Sequence, residues 1–101
     1  MRTTVMNADG RSVIRLQGRF DFSSHRDFRE ATETALADAG SREISVDLSA
    51  VDYLDSSALG MLLMLRDKAR SADKAVLLSN CRGAVKQVLD IANFGKLFTI
   101  S

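Results

Sequence analysis

The chain has 101 residues, 46% hydrophobic and 27% charged, with a net charge of +1. That is the size and balance of one folded domain rather than a disordered chain. The near-zero charge argues against a dedicated nucleic-acid binder, whose footprint is a basic excess. One cysteine and one histidine argue against a disulfide framework and a Cys/His zinc cluster. The longest apolar run, Met61–Leu65, is far short of the roughly 20 residues that span a membrane. Met1–Thr4 has no signal-peptide core behind it, so no membrane insertion and a cytoplasmic location are expected. Charge is unevenly placed: residues 1–55 carry seven Lys+Arg and ten Asp+Glu, residues 56–101 seven and three. Such a chain can orient a charged partner while neutral overall.

Thr3–Met6 is a short β-prone run, Asp9-Gly10 a hairpin signal, and Ser12–Gln17 a second strand. Ser23 and Ser24 are N-cap candidates, with Asp27 as capping-box partner. Phe28, Ala31, Ala35, Leu36 and Ala39 then recur at helical spacing, and Gly40 reads as the stop. Glu43–Leu48 alternates as a strand. Asp55 and Ser56 are N-cap candidates for a helix over Ser56–Ser71, and Ala75–Leu78 reads as an interior strand. Ala84–Ala92 is helical, Gly95 closes it, and Leu97–Ile100 is a terminal strand. The order β-β-α-β-α-β-α-β predicts an α/β fold, a mixed β-sheet packed with three or more α-helices over residues 1–101. Periodicity leaves open whether the helices cover one face or both.

Few residues offer catalysis, and no enzyme, cofactor or metal is expected. His25 falls in the first turn of a helix and reads as a surface residue. Cys81 precedes the third helix, either as an activated thiol or as a small buried side chain. Asp47, Asp52 and Asp55 are close in sequence but lack the remaining ligands of a calcium loop. No phosphate-binding or nucleophile-elbow glycine motif is present.

The segment Asp47–Gly60 runs from a strand through a turn into a helix. Ser57 falls in the first helical turn, where free N–H groups and the dipole favour negative charge. A phosphate there would gain backbone hydrogen bonds. Asp-Ser-Ser before a helix is also what ordinary capping looks like. At 100° per residue, Ala58, Met61, Leu62, Leu65 and Ala69 form the stripe facing the sheet. Gly60, Leu63, Met64 and Asp67 fall opposite. Either this helix is rotated or covered on both sides, or the opposite face docks a partner beside Ser57.

Asp47-Leu48-Ser49 with Asp55-Ser56-Ser57-Ala58-Leu59-Gly60 resembles the signature of STAS domains, the fold of bacterial anti-sigma-factor antagonists. Gly18-Arg19-Phe20-Asp21 is similar to the family's G-x-x-D element, Ala84–Leu89 to its last amphipathic helix and Phe94–Phe98 to its closing stretch. The resemblance covers essentially the whole chain. It implies that Ser57 is the phosphoacceptor, that Asp55 and Ser56 shape its turn and that Asp21 is the acid near it. Ala58, Gly60, Leu63, Met64 and Asp67 are the expected partner-binding residues. Ala58 stands where many relatives carry Gly, and Gly83 where Pro is common. The implied partners are an anti-sigma factor or serine kinase with a histidine-kinase-like ATP fold, and a metal-dependent PPM-type serine phosphatase that resets the switch. The free protein is expected to be a monomer. The alternative is an accessory subunit of a membrane transporter, docking an ATPase without phosphorylation.

Overall fold

A computed structural model describes residues 1–101. Strands β1 (Arg2–Ala8) and β2 (Arg11–Phe20) form the expected hairpin. Asp9 and Gly10 between them take φ of 53° and 78°, the pair of positive values a two-residue hairpin turn needs. Helix α1 (His25–Ala37), strand β3 (Glu43–Leu54), helix α2 (Ser56–Ser71), strand β4 (Ala75–Ser79), helix α3 (Gly83–Ile91) and strand β5 (Thr99–Ile100) follow. The sheet order is β1-β2-β3-β4-β5, antiparallel at the first pair and parallel thereafter.

Each parallel step joins neighbouring strands through one helix, and right-handed crossovers of that kind stack every helix on the same face. Strand β2 records the result: Ser12, Ile14 and Leu16 are buried while Arg11, Arg15 and Gln17 are exposed. The core is one cluster of 21 residues between sheet and helices.

Several boundaries differ from the sequence reading, four of them with a clear physical cause. Strand β3 continues six residues past Leu48, because its register against β2 shifts between Arg15 and Gln17 and again between Gly18 and Arg19. Those bulges break the strict alternation that marks a strand. Ser24 does not cap α1 with its side chain. Its hydroxyl instead donates to the Arg19 carbonyl at 3.0 Å, within a 3₁₀ turn (Phe22–Ser24) capped by Asp21. Helix α1 stops at Ala37 rather than Gly40; Lys74 Nζ donates to the Asp38 carbonyl at 2.7 Å. Asn93, at φ 59°, takes the left-handed position expected near Gly95, and a 3₁₀ turn over Phe94–Lys96 delays the last strand to Thr99. Strand β4 is interior to the sheet, yet of its residues Leu78 alone is fully buried, and the β5 strand beside it is two residues long.

Gly18 sits at a bulge with φ 104° and no atom near the place a Cβ would occupy. Gly18→Ala is therefore expected to cost backbone strain alone, about 1–3 kcal/mol, read as a lowered urea midpoint.

Candidate functional site

Phe20 and Leu54 are paired where the parallel strands β2 and β3 end, and an aspartate follows each. Asp21 and Asp55 are both extended, and each caps the turn after it. Asp55 accepts from the Ala58 N–H at 2.9 Å, and the Asp55 N–H donates to the Phe20 carbonyl at 3.3 Å. That bond ties the start of α2 to the residue before Asp21. The two acids singled out from sequence thus meet at one edge of the molecule.

Ser56 and Ser57 are the first two residues of α2, both exposed. Asp55 satisfies the third N–H of the turn, and no acceptor lies earlier in the helix for the N–H groups of Ser56 and Ser57. The Ser57 hydroxyl stands in solvent beside two free donors at the positive end of a 16-residue helix.

Asp21 is held below the ordinary carboxylate range. The hydrogen bond from the Ser23 hydroxyl, at 2.5 Å, is the main cause, with desolvation opposing it and the Ser23 N–H and Arg19 at 3.6 Å assisting. The folded form thus binds this proton more weakly than the unfolded chain. Its contribution is present above the ordinary value of about 4 and is lost as pH falls through the lower folded value. Asp21→Asn should flatten the decline of stability below about pH 4, measured by denaturation at a series of pH values.

The face expected to dock a partner is partly corrected. Gly60 and Asp67 are exposed, Met64 is 52% exposed and Leu63 is half-buried. Ala58 is wholly buried. It lies on the sheet-facing stripe with Met61, Leu62, Leu65 and Ala69, so its methyl offers nothing to a partner. Phe22 was missed: it is 74% exposed on the turn beside Asp21. An aromatic in a polar turn with no periodic partner was its signal. Tyr53 was missed too, because β3 was read as ending at Leu48. Its ring lies 4.0 Å from the Arg19 guanidinium carbon.

The other candidates lie elsewhere. Asp47 accepts from the Ser49 N–H at 2.9 Å and the Asn80 amide at 3.1 Å. Burial raises its pKa, but those bonds and Arg15 hold it low overall. Asp47 and Asp55 are therefore engaged separately and do not converge as a cation loop. Cys81 is half-buried, and burial pushes its thiol up to about 11, the opposite of an activated thiol. His25 is exposed at the start of α1. No helix is long and apolar enough to cross a membrane.

Known proteins are similar to this chain in sequence and in fold. A family model described as "Mlab, STAS domain" matches residues 3–99. A STAS-domain containing protein of Pseudomonas aeruginosa (strain UCBPP-PA14) is 48% identical over 98% of this chain and 97% of its own. A Bordetella bronchiseptica protein carrying the name "Putative anti-sigma factor antagonist BtrV" is 28% identical over 100% of this chain and 86% of its own. The structure of the Bacillus cell fate determinant SpoIIAA in its phosphorylated form matches with a TM-score of 0.73 at 20% identity, over 99% of this chain and 91% of that one.

Proposed function

The chain belongs to the STAS domain family, and from that premise we propose that it is an anti-sigma-factor antagonist switched by phosphorylation of Ser57. The observation that carries this reading is the setting of Ser57. It is an exposed hydroxyl in the first turn of α2, beside two free N–H groups and next to a partly apolar face. The existence of SpoIIAA, a protein of this fold, in a phosphorylated form supports phosphorylation as the switch.

The protein acts as a binder and a phosphate acceptor, not as a catalyst. Unmodified, it binds an anti-sigma factor that is also a serine kinase of histidine-kinase-like ATP fold. The kinase moves the γ-phosphoryl group of ATP to the Ser57 oxygen; ADP leaves and the complex separates. A PPM-type phosphatase hydrolyses the ester and restores the binding form. Asp55 holds the turn through its cap, and Asp21 braces the neighbouring turn. Gly60, Leu63, Met64 and Asp67 contribute the docking face, with Phe22 at its edge.

The direct test incubates the protein with its cognate kinase and ATP. One phosphate on Ser57 by mass spectrometry is expected, and none on Ser57→Ala. Failure of phosphate transfer, together with docking to a transporter ATPase, would replace this reading with the accessory-subunit alternative.

A further inference from the structure

We propose that the partner's docking element is an acidic amphipathic helix seated in the groove between α1 and α2, and that a phosphate on Ser57 expels it by like-charge repulsion. This rests on the antagonist reading and names the partner's chemistry. The floor of the groove is apolar: Phe28, Met61 and Leu65 are each at most 6% exposed. Its rim carries His25, Arg29 and Lys68, and no carboxylate is among the lining side chains. Arg29 shares its charge with Glu33 at 3.1 Å, while the ion pair on this stretch of α2 joins Arg66 to Asp67 and leaves Lys68 out. An apolar floor with a basic rim complements apolar anchors flanked by acids.

The groove is long enough to take anchoring side chains from two turns of a helix. The lining residues run from His25 to Thr32 on α1 and from Met61 to Lys68 on α2. Seven steps at the helical rise make about 10 Å, two turns, the span of anchors at i, i+3 and i+7 on a ligand helix. Met64, half exposed at the lip, adapts its unbranched side chain to whatever enters.

The same geometry couples the groove to the switch. Ser57 precedes Met61 by four residues, about 6 Å along the axis. That is within the Debye length of about 8 Å at physiological salt. A phosphoserine there places about −1.5 to −2 charge at the groove mouth. It favours its own helix N-terminus and repels an acidic ligand, with no change of fold.

The test uses the full chain, labelled with nitrogen-15, and three synthetic helical peptides. All share apolar residues at i, i+3 and i+7; their polar positions are all Glu, all Gln or all Lys. The Glu peptide is expected to shift the amide signals of His25, Arg29, Met64 and Lys68 and to bind more tightly than the others. Added salt should weaken it. Arg29→Glu with Lys68→Glu should cost it at least about tenfold in affinity. Ser57→Asp should weaken the Glu peptide and spare the Gln peptide. Equal binding of all three peptides, shifts mapping outside the groove, or self-association of the protein through this face would each overturn the assignment. Both substituted side chains lie on the rim, and an unchanged thermal melt verifies that the double variant folds. If Ser57 accepts phosphate but the Glu peptide leaves the groove untouched, the groove assignment fails and the antagonist reading stands. If the Glu peptide seats there but no kinase modifies Ser57, the groove remains a site for an acidic helix, while its phosphoserine switch fails together with the antagonist reading.

Discussion

Ser57→Asp is expected to weaken binding to the anti-sigma partner about a hundredfold, a difference of about 2.7 kcal/mol. Ser57→Ala should stay bound in the presence of kinase and ATP. The carboxylate brings one full charge to the edge of the contact face, where it repels an acidic partner. A phosphate, with its larger charge, should separate the complex further. The effect needs no rearrangement, since α2 tolerates negative charge in its first turn. Titration calorimetry of both variants against the partner checks this, and equal affinity for Ser57→Asp and wild type would remove Ser57 from the switch. Met64→Asp provides the companion measurement. With Met64 half exposed, it should weaken docking and leave the melting transition intact.

Phe20→Ala should be the most damaging single core change, at about 3–5 kcal/mol. A domain of this kind has about 5–15 kcal/mol in total. The Phe20 ring is fully buried and lies 4.9 Å from the Phe28 centroid. Its backbone carbonyl also receives the Asp55 N–H. Loss of the ring therefore empties core space directly under the strand end that positions the start of α2. A lower urea midpoint with an unchanged slope is expected. Phe20→Leu, which refills much of the volume, should recover a large part of it. If Phe20→Ala left the midpoint in place, Phe20 would not be a keystone of the core.

Much of this architecture was legible in the chain. Asp9-Gly10 marked the hairpin, the spacing of Met61, Leu62, Leu65 and Ala69 marked the buried side of α2, and Asp55 marked its cap. Those signals are local, set by turn chemistry and helical period. What escaped was tertiary. The bulges that carry β3 on to Leu54 depend on its pairing with β2, which no window of one strand reveals. Ser24 was available as a cap until the Arg19 carbonyl claimed its hydroxyl. Asn93 displaced Gly95 because asparagine also tolerates the left-handed conformation. Within the site, Ser57, Asp55 and Asp21 were readable by motif. Ala58 was placed on both faces of α2 and belongs to the buried one. The α1–α2 groove joins His25–Thr32 of one helix to Met61–Lys68 of another, far apart in sequence, so it could be seen only after the helices were packed.

The serial order of the sheet bears on how the protein is made. Every strand lies beside the one before it in sequence. The sheet can therefore grow by addition at one edge as the chain leaves the ribosome, since folding of nascent chains proceeds from the N-terminal side. The pairing of β2 with β3 and the opening turns of α2 require nothing beyond about the first two-thirds of the chain. The turn proposed to accept the phosphate can thus take shape while α3 and β5 are still being synthesised. At the far edge, the Ser101 N–H donates to the Leu78 carbonyl at 2.9 Å and its carbonyl accepts from the Cys81 N–H at 3.0 Å, so the closing stretch is fastened by bonds that the turn at Ser57 does not use.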